Sequence, residues 1–313
     1  MSNQIKIITV TITAVIAMVG IFFGINYISK TYIRVGNQGV TESKDVLFGL
    51  NLLKSGLQGD IEGGINVLLL GVSGQNYISG DLTDTIILAN VGLTNKKISL
   101  ISIPRDLWVK TNDGSNKKIN ELYKLSGGTK KPTVEYIGQI KQKVTEITGQ
   151  EIQYTAVIDL DGIKNIVDFI GGVKTEEGFK NGEQALFYIR DRSRAGSDFD
   201  RMKRQQKLIV AIINKVLEQQ DTLLKDQDNA LKLFELLETN ISTNVSILEI
   251  FTLFNALKDT DIAQNINLHT ITTNNLLKEE YRNINNQDIY ILYPRAGEED
   301  YSEIRDLINE IVN

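Results

Sequence analysis

"INVLLLGV", residues 65–72, is a short continuous apolar run bounded by glycine. Such a run fits a strand buried on both faces. Two β-rich segments follow, "DTIILANVG" (84–92) and "KKISLISIP" (96–104), and the intervening "LTNK" reads as a turn. They are expected to pair as an antiparallel hairpin, with Pro104 ending the second strand. Helical periodicity then runs through "VEYIGQIKQKVTEITG" (134–149) and stops at Gly149, followed by a strand "YTAVIDL" (154–160) and a helix "DGIKNIVDFIGG" (161–172). This alternation predicts a layered α/β or α+β domain. The last third carries helical patterns at 221–238, 246–258 and 301–312 and a strand at 288–294, with no linker that sets it apart and no internal repeat.

Upstream of the domain, Ile7 to Ile28 run 22 positions without a charge. As a helix this spans ~33 Å, the thickness of a bilayer's hydrocarbon core. It reads as a single transmembrane anchor, because it is long for a signal-peptide core and "NYISKTYIR" offers no small-x-small cleavage site. Residues 1–30 are thus a short N-terminal stub and anchor, whose flanking charges are too balanced to set its orientation, 31–63 a tether with a short apolar helical pattern around Val46 to Leu57, and 64–313 the domain proper.

At 313 residues and 42% hydrophobic content the chain can bury a large core. It has no cysteine, which excludes disulfides, a thiolate nucleophile and cysteine metal sites. Its one histidine, His269, excludes an HExxH metalloprotease. A net charge of -5 argues against a nucleic-acid binder, since phosphate backbones reward a broad basic surface.

Against that acidity, "YIRDRSRAGSDFDRMKRQQ" (188–206) holds six cations and three carboxylates. "NGEQALFYIR" (181–190) reads as a helix ending near Arg190, and a second helix begins after "AGS", where Ser197 and Asp200 form a capping signature. The break brings Arg190 and Arg192 of one element towards Arg201 and Gln205, which share a face of the next. Arginine's planar fork suits an oxyanion that must be held in one orientation. The competing reading is a solvated face whose arginines pair with Asp191, Asp198 and Asp200; Arg194, Lys203 and Arg204 are read as solvated or rim charges.

Taken in order, "INVLLLGV", "GDLTDTIILANV", "KISLISIPRDLWV", "KKINELYKLSGG", "VIDLDGIKNIVDFIGGV", "NGEQALFYIR" and "SDFDRMKRQQ" closely resemble the LytR-CpsA-Psr family. The resemblance is strong over roughly 64–218 and looser in the tail. It implies a central mixed β-sheet flanked by helices, preceded by one transmembrane helix, with the domain outside the cell membrane. It also implies an enzyme that transfers glycosyl phosphate from a polyprenyl-pyrophosphate-linked glycan to a peptidoglycan hydroxyl, with magnesium at the pyrophosphate and the donor drawn from the membrane lipid. Residue by residue, the family's phosphate-gripping side chains match Arg105, Arg190, Arg192, Arg201 and Gln205, and its metal-holding, hydroxyl-activating carboxylate matches Asp84. The family's aspartate after "LGV" is replaced by Ser73, and Gln75 and Leu82 stand where arginines are common. Asp81, on the same loop, is the expected substitute metal ligand. The alternative left open by Ser73 is a non-catalytic polyprenyl-phosphate-binding scaffold or regulator of wall assembly.

Overall fold

A computed structural model of the chain describes residues 64–78, 80–191, 198–225, 227–246, 249, 253 and 265–312. The expected anchor, the tether, Arg192, Arg194, Ser197 and most of the 246–258 helical pattern lie outside these residues. Among the described residues no helix is long and apolar enough to cross a membrane.

Strands β1 (Ile65–Val72), β2 (Thr83–Val91) and β3 (Ile98–Ile103) are buried along their whole lengths. Strand β1 shows why a continuous apolar run is needed. Ile65, Val67 and Leu69 point into one core, whereas Leu68, Leu70 and Val72 point into another on the opposite face. Side chains alternate across a strand, so a strand covered on both sides has no position left for a polar residue without a partner. Asn66 is the exception that obeys the rule: it accepts from Asn90 Nδ2 at 3.0 Å and donates to the Glu151 carbonyl at 2.9 Å. Strands β2 and β3 form the expected antiparallel hairpin, Val91 opposite Ile98.

A short hairpin, β4 (Trp108–Lys110) with β5 (Asn116–Lys118), and helix α1 (Leu122–Leu125) follow, then α2 (Gly138–Thr148), which ends on left-handed Gly149. Strand β6 (Tyr154–Ile158) pairs parallel to β1. It is shorter than expected because Asp159 leaves the sheet to cap helix α3 (Leu160–Phe169), accepting from Gly162 N at 2.9 Å. The hairpin β7 (Val173–Thr175) with β8 (Gly178–Lys180) leads into α4 (Gly182–Arg190), whose start is closed by a reciprocal Asn181–Gln184 capping box. The long α5 (Asp198–Lys225) then runs over the sheet and is followed by α6 (Gln227–Asn240).

The tail holds more strand than the single one expected at 288–294. β9 (Ile241–Thr243) and β10 (Ile266–Thr270) join the two edges of the main sheet, giving the order β10-β3-β2-β1-β6-β9. β11 (Leu277–Ile284) pairs antiparallel with β12 (Gln287–Pro294), and α7 (Ser302–Val312) closes the described chain. The sheet is mixed, with β6 and β10 parallel to their inner neighbours and the other pairings antiparallel. Helices α3 to α6 contribute to the core on one face, while α2, α7 and the β11–β12 hairpin contribute to the core on the other.

Candidate functional site

The site forms where β1 ends, β2 begins and β3 ends, at one end of the sheet's inner strands. Between β1 and β2 the register breaks: Gly71 pairs with Thr85 and Val72 with Thr83, so Asp84 is the extra residue of a bulge. A bulge re-aims one side chain out of the alternating pattern. Asp84, 7% exposed, is thereby turned to Arg105, which follows Pro104 at the end of β3, and the two form a hydrogen-bonded ion pair.

Arg105 is the hub. Its Nη2 lies 3.6 Å from Asp198 Oδ1 and its Nε 3.6 Å from Asp106 Oδ2. Burial alone would pull its pKa down, but Asp84, Asp198 and Asp106 outweigh that and hold the guanidinium above its ordinary range. Asp198, at the start of α5, also lies 2.5 Å from Arg201 Nη2 one turn later, so a single carboxylate links Arg105 with Arg201. Arg201 is only 2% exposed.

One turn beyond, Gln205 is 1% exposed and its Oε1 accepts from Thr85 Oγ1 at 3.1 Å. That bond fixes the amide's orientation and leaves Nε2, a buried donor, without a hydrogen-bond partner among the described residues. Arg105 Nε and the buried Ser73 Oγ share that condition. Buried polar atoms in native proteins almost always have a partner, so a cluster of orphans beside cations points to an oxygen-rich ligand.

Arg190 closes the other flank. It is the last residue of α4, donates from Nη1 to Tyr77 Oη at 2.9 Å, and lies 4.9 Å over the Tyr77 ring. The structure thus brings Asp84, Arg105, Arg201 and Gln205 together and sets Arg190 against the loop after β1. Arg192 falls outside the described residues. Asp81 has its own partner, with Oδ2 at 3.0 Å from Lys124 Nζ, while Gln75 is exposed.

Three residues went unassigned in the sequence reading. Tyr77 carries no local signal, because its role depends on α4 arriving from elsewhere in the chain. Asp198 was read only as a partner in a solvated face, yet it joins the partly buried Arg105 to the buried Arg201. Arg204 was read as a rim charge; it donates from Nε to the Tyr188 carbonyl at 3.0 Å and from Nη2 to the Asp191 carbonyl at 2.7 Å. Cations complement the carbonyl end of a helix, and the sequence placed α4's end close by, so that signal was available.

The curated relatives that the chain is similar to include the Bacillus licheniformis polyisoprenyl-teichoic acid–peptidoglycan teichoic acid transferase TagU, 27% identical over 58% of this chain and 60% of the relative. The Bacillus subtilis transferase TagV is 28% identical over 53% of this chain and 46% of its own length. Biofilm regulatory protein A of Streptococcus mutans is 25% identical over 78% and 63%. The chain thus spans about 60% or less of the two transferases' lengths. The fold is shared with the crystal structure of B. subtilis TagV, at TM-score 0.58 and 23% identity over 80% of this chain and 98% of that one. It is shared also with TagT bound to LI-WTA, at TM-score 0.58 and 18% identity over 83% and 94%. The LytR_cpsA_psr family model matches residues 29–180 and 176–298, most of the chain. The chain belongs to the LytR_cpsA_psr family.

Proposed function

We propose that this chain is a membrane-anchored phosphotransferase of cell-wall assembly. It takes a polyprenyl-pyrophosphate-linked glycopolymer, a teichoic acid or capsule precursor, and transfers its glycosyl phosphate to a peptidoglycan hydroxyl outside the cell membrane. The observation that carries this reading is the buried, orphaned amide of Gln205 beside the Arg105–Asp198–Arg201 cluster. The names of the teichoic acid transferases among the relatives support it.

In the reaction, the acceptor oxygen bonds to the glycan-side phosphorus and the P–O bond to the bridging oxygen breaks. Polyprenyl phosphate leaves with the bridging oxygen, and the acceptor's proton passes to Asp84 and then to solvent. Phosphoryl transfer through a loose transition state needs positioning and charge neutralisation more than a strong base. Arg105, Arg201 and Arg190 supply that charge, and Gln205 donates to a phosphoryl oxygen without adding any. To receive the pyrophosphate, Arg105 and Arg201 exchange part of their pairing with Asp84 and Asp198.

The oxygen donors at this corner, the Asp84 carboxylate and the orphaned Ser73 hydroxyl, fit Mg2+, which is commonly held by one or two carboxylates together with waters and phosphate oxygens. When bound, the ion would neutralise charge on the phosphoryl oxygens. Asp81 pairs with Lys124 through Oδ2, while its buried Oδ1 has no hydrogen-bond partner among the described residues and would offer this ion a second carboxylate oxygen. Ser73 in the place of a carboxylate also favours a second reading, a scaffold that holds the polyprenyl pyrophosphate without turnover.

The test uses the full chain in detergent micelles with a short polyprenyl-pyrophosphate sugar, with and without Mg2+, beside Arg105→Ala. Metal-dependent phosphate-ester cleavage lost in the variant is expected. Tight binding without cleavage would replace the enzyme by the scaffold, and absence of both would overturn the proposal.

A further inference from the structure

Helix α5 and edge strand β10 enclose a groove of about 520 Å³ that the chemistry above does not use. Its walls include Phe199, Asp200, Lys203 and Lys207 from α5, and Leu268, Thr270, Thr272 and Asn274 from β10 and the turn after it. β10 runs parallel to β3, with Thr270 opposite Ser102, so the groove's β10 end lies beside the end of β3 that leads into Arg105. Phe199 directly follows Asp198, the carboxylate that links Arg105 with Arg201.

The groove is preformed. Gln206, on its floor, has its Nε2 at 3.1 Å from the Leu100 carbonyl, 2.8 Å from Ser102 Oγ and 2.7 Å from the His269 carbonyl, which ties α5 to both β3 and β10. Asn275 Oδ1 accepts from Thr272 N at 2.7 Å and holds the rim turn.

We infer that this groove binds the acceptor glycan strand, an inference that rests on the transferase reading above. Hydroxyls and an amide beside one aromatic face suit a sugar bearing hydroxyl and acetamido groups. The two lysines suit carboxylates carried by such a strand: Lys203 is 3.5 Å from Asp200 and Lys207 2.8 Å from Glu176, exposed pairs that exchange partners at little cost. Position selects the acceptor over the donor's own glycan. Across this end of the sheet, the order is Tyr77 with Arg190 after β1, Asp84 on β2, Arg105 after β3, then the groove at β10. With strands ~4.8 Å apart, β1 to β10 covers about 14 Å. In-line displacement requires nucleophile and leaving group on opposite sides of the phosphorus. Arg190 holds the leaving polyprenyl phosphate on one flank, and the acceptor arrives from the other.

Direct binding of soluble, uncrosslinked peptidoglycan glycan strands to the full chain in micelles tests this, with donor binding measured in parallel. Lys203→Glu and Asn274→Ala are each expected to weaken strand binding about tenfold, the loss of one charge-assisted or well-placed hydrogen bond, without altering donor affinity. Arg105→Ala is expected to lose donor binding and keep strand binding. Strand binding that ignores both groove variants, or that the wild-type chain does not show, overturns the groove while leaving the donor site standing. Weakened donor binding in Lys203→Glu would overturn it too, by giving the groove to the donor's glycan. A wild-type chain that binds no donor, or an Arg105→Ala variant that binds it as tightly as the wild type, would instead sink the transferase reading.

Discussion

Replacing Arg204 should unfasten the end of the helix that presents Arg190. The guanidinium forks two carbonyls, those of Tyr188 and Asp191, at 3.0 and 2.7 Å. The last carbonyls of a helix have no partner within it, so the fork answers a need that α4 cannot meet itself. Lysine keeps the charge but offers a compact donor on a flexible stem, which reaches one carbonyl and not both. A hydrogen bond from a charged donor contributes about 1.5–3 kcal/mol when well shielded. Arg204 is half-buried, and partial solvent screening reduces this to about 1–2 kcal/mol for Arg204→Lys and about 2–4 kcal/mol for Arg204→Ala. Urea unfolding of the full chain in micelles, followed by the fluorescence of Trp108, the chain's one tryptophan, reads the stability change. Donor affinity reads its consequence at Arg190, and we expect a fall of about tenfold for Arg204→Ala. If Arg204→Lys matches the wild type in both measurements, the fork does not hold the end of α4 and the reasoning fails.

Three further perturbations test other parts of the fold. Asn90→Ala strands the Asn66 side-chain oxygen inside the sheet and should lower stability by about 1–3 kcal/mol in the same urea assay; an unchanged midpoint would show that the pair has no energetic weight. Gly172→Val forces a side chain onto a backbone at φ +86, with a Cβ 2.9 Å from the Lys180 carbonyl oxygen, and should cost about 1–3 kcal/mol, read as a lower melting temperature. His269 is partly buried, and burial holds its pKa below the ordinary 6.5. Its neutral form is therefore favoured by folding: the contribution is complete above 6.5 and is lost as pH falls towards the folded value. The single imidazole signal in a proton NMR titration should move with a midpoint below 6.5, and a midpoint above it would contradict the burial seen here.

The four inner strands and the hairpin turn were legible in the primary structure because burial on both faces leaves a strand no choice but near-continuous apolarity. The capping box of Asn181 and Gln184 was not named from the sequence, although the two lie three apart and satisfy each other locally; the cap that was expected, at Ser197, falls outside the described residues. Strands β9 and β10 were not legible. Each borrows its stability from an edge of the sheet that is already formed, and β10's pattern, with exposed Asn267 and Leu268, resembles neither a buried run nor a clean alternation. Phe187, apolar and mid-helix, is 62% exposed on α4, a placement that no local pattern gives.

The site divides along the same line. Arg105, Arg190, Arg201, Gln205 and Asp84 could be named beforehand because the short motifs that hold them are contiguous and match those of the family the chain resembles. Which carboxylate answers which arginine was decided only by tertiary structure. The bulge that turns Asp84 to Arg105 exists between two paired strands, and the Thr85–Gln205 bond joins residues 120 positions apart. Local sequence encodes what a residue can bond to and the period with which it faces its neighbours. The partner it meets depends on how distant elements pack, and that is set by the whole core at once.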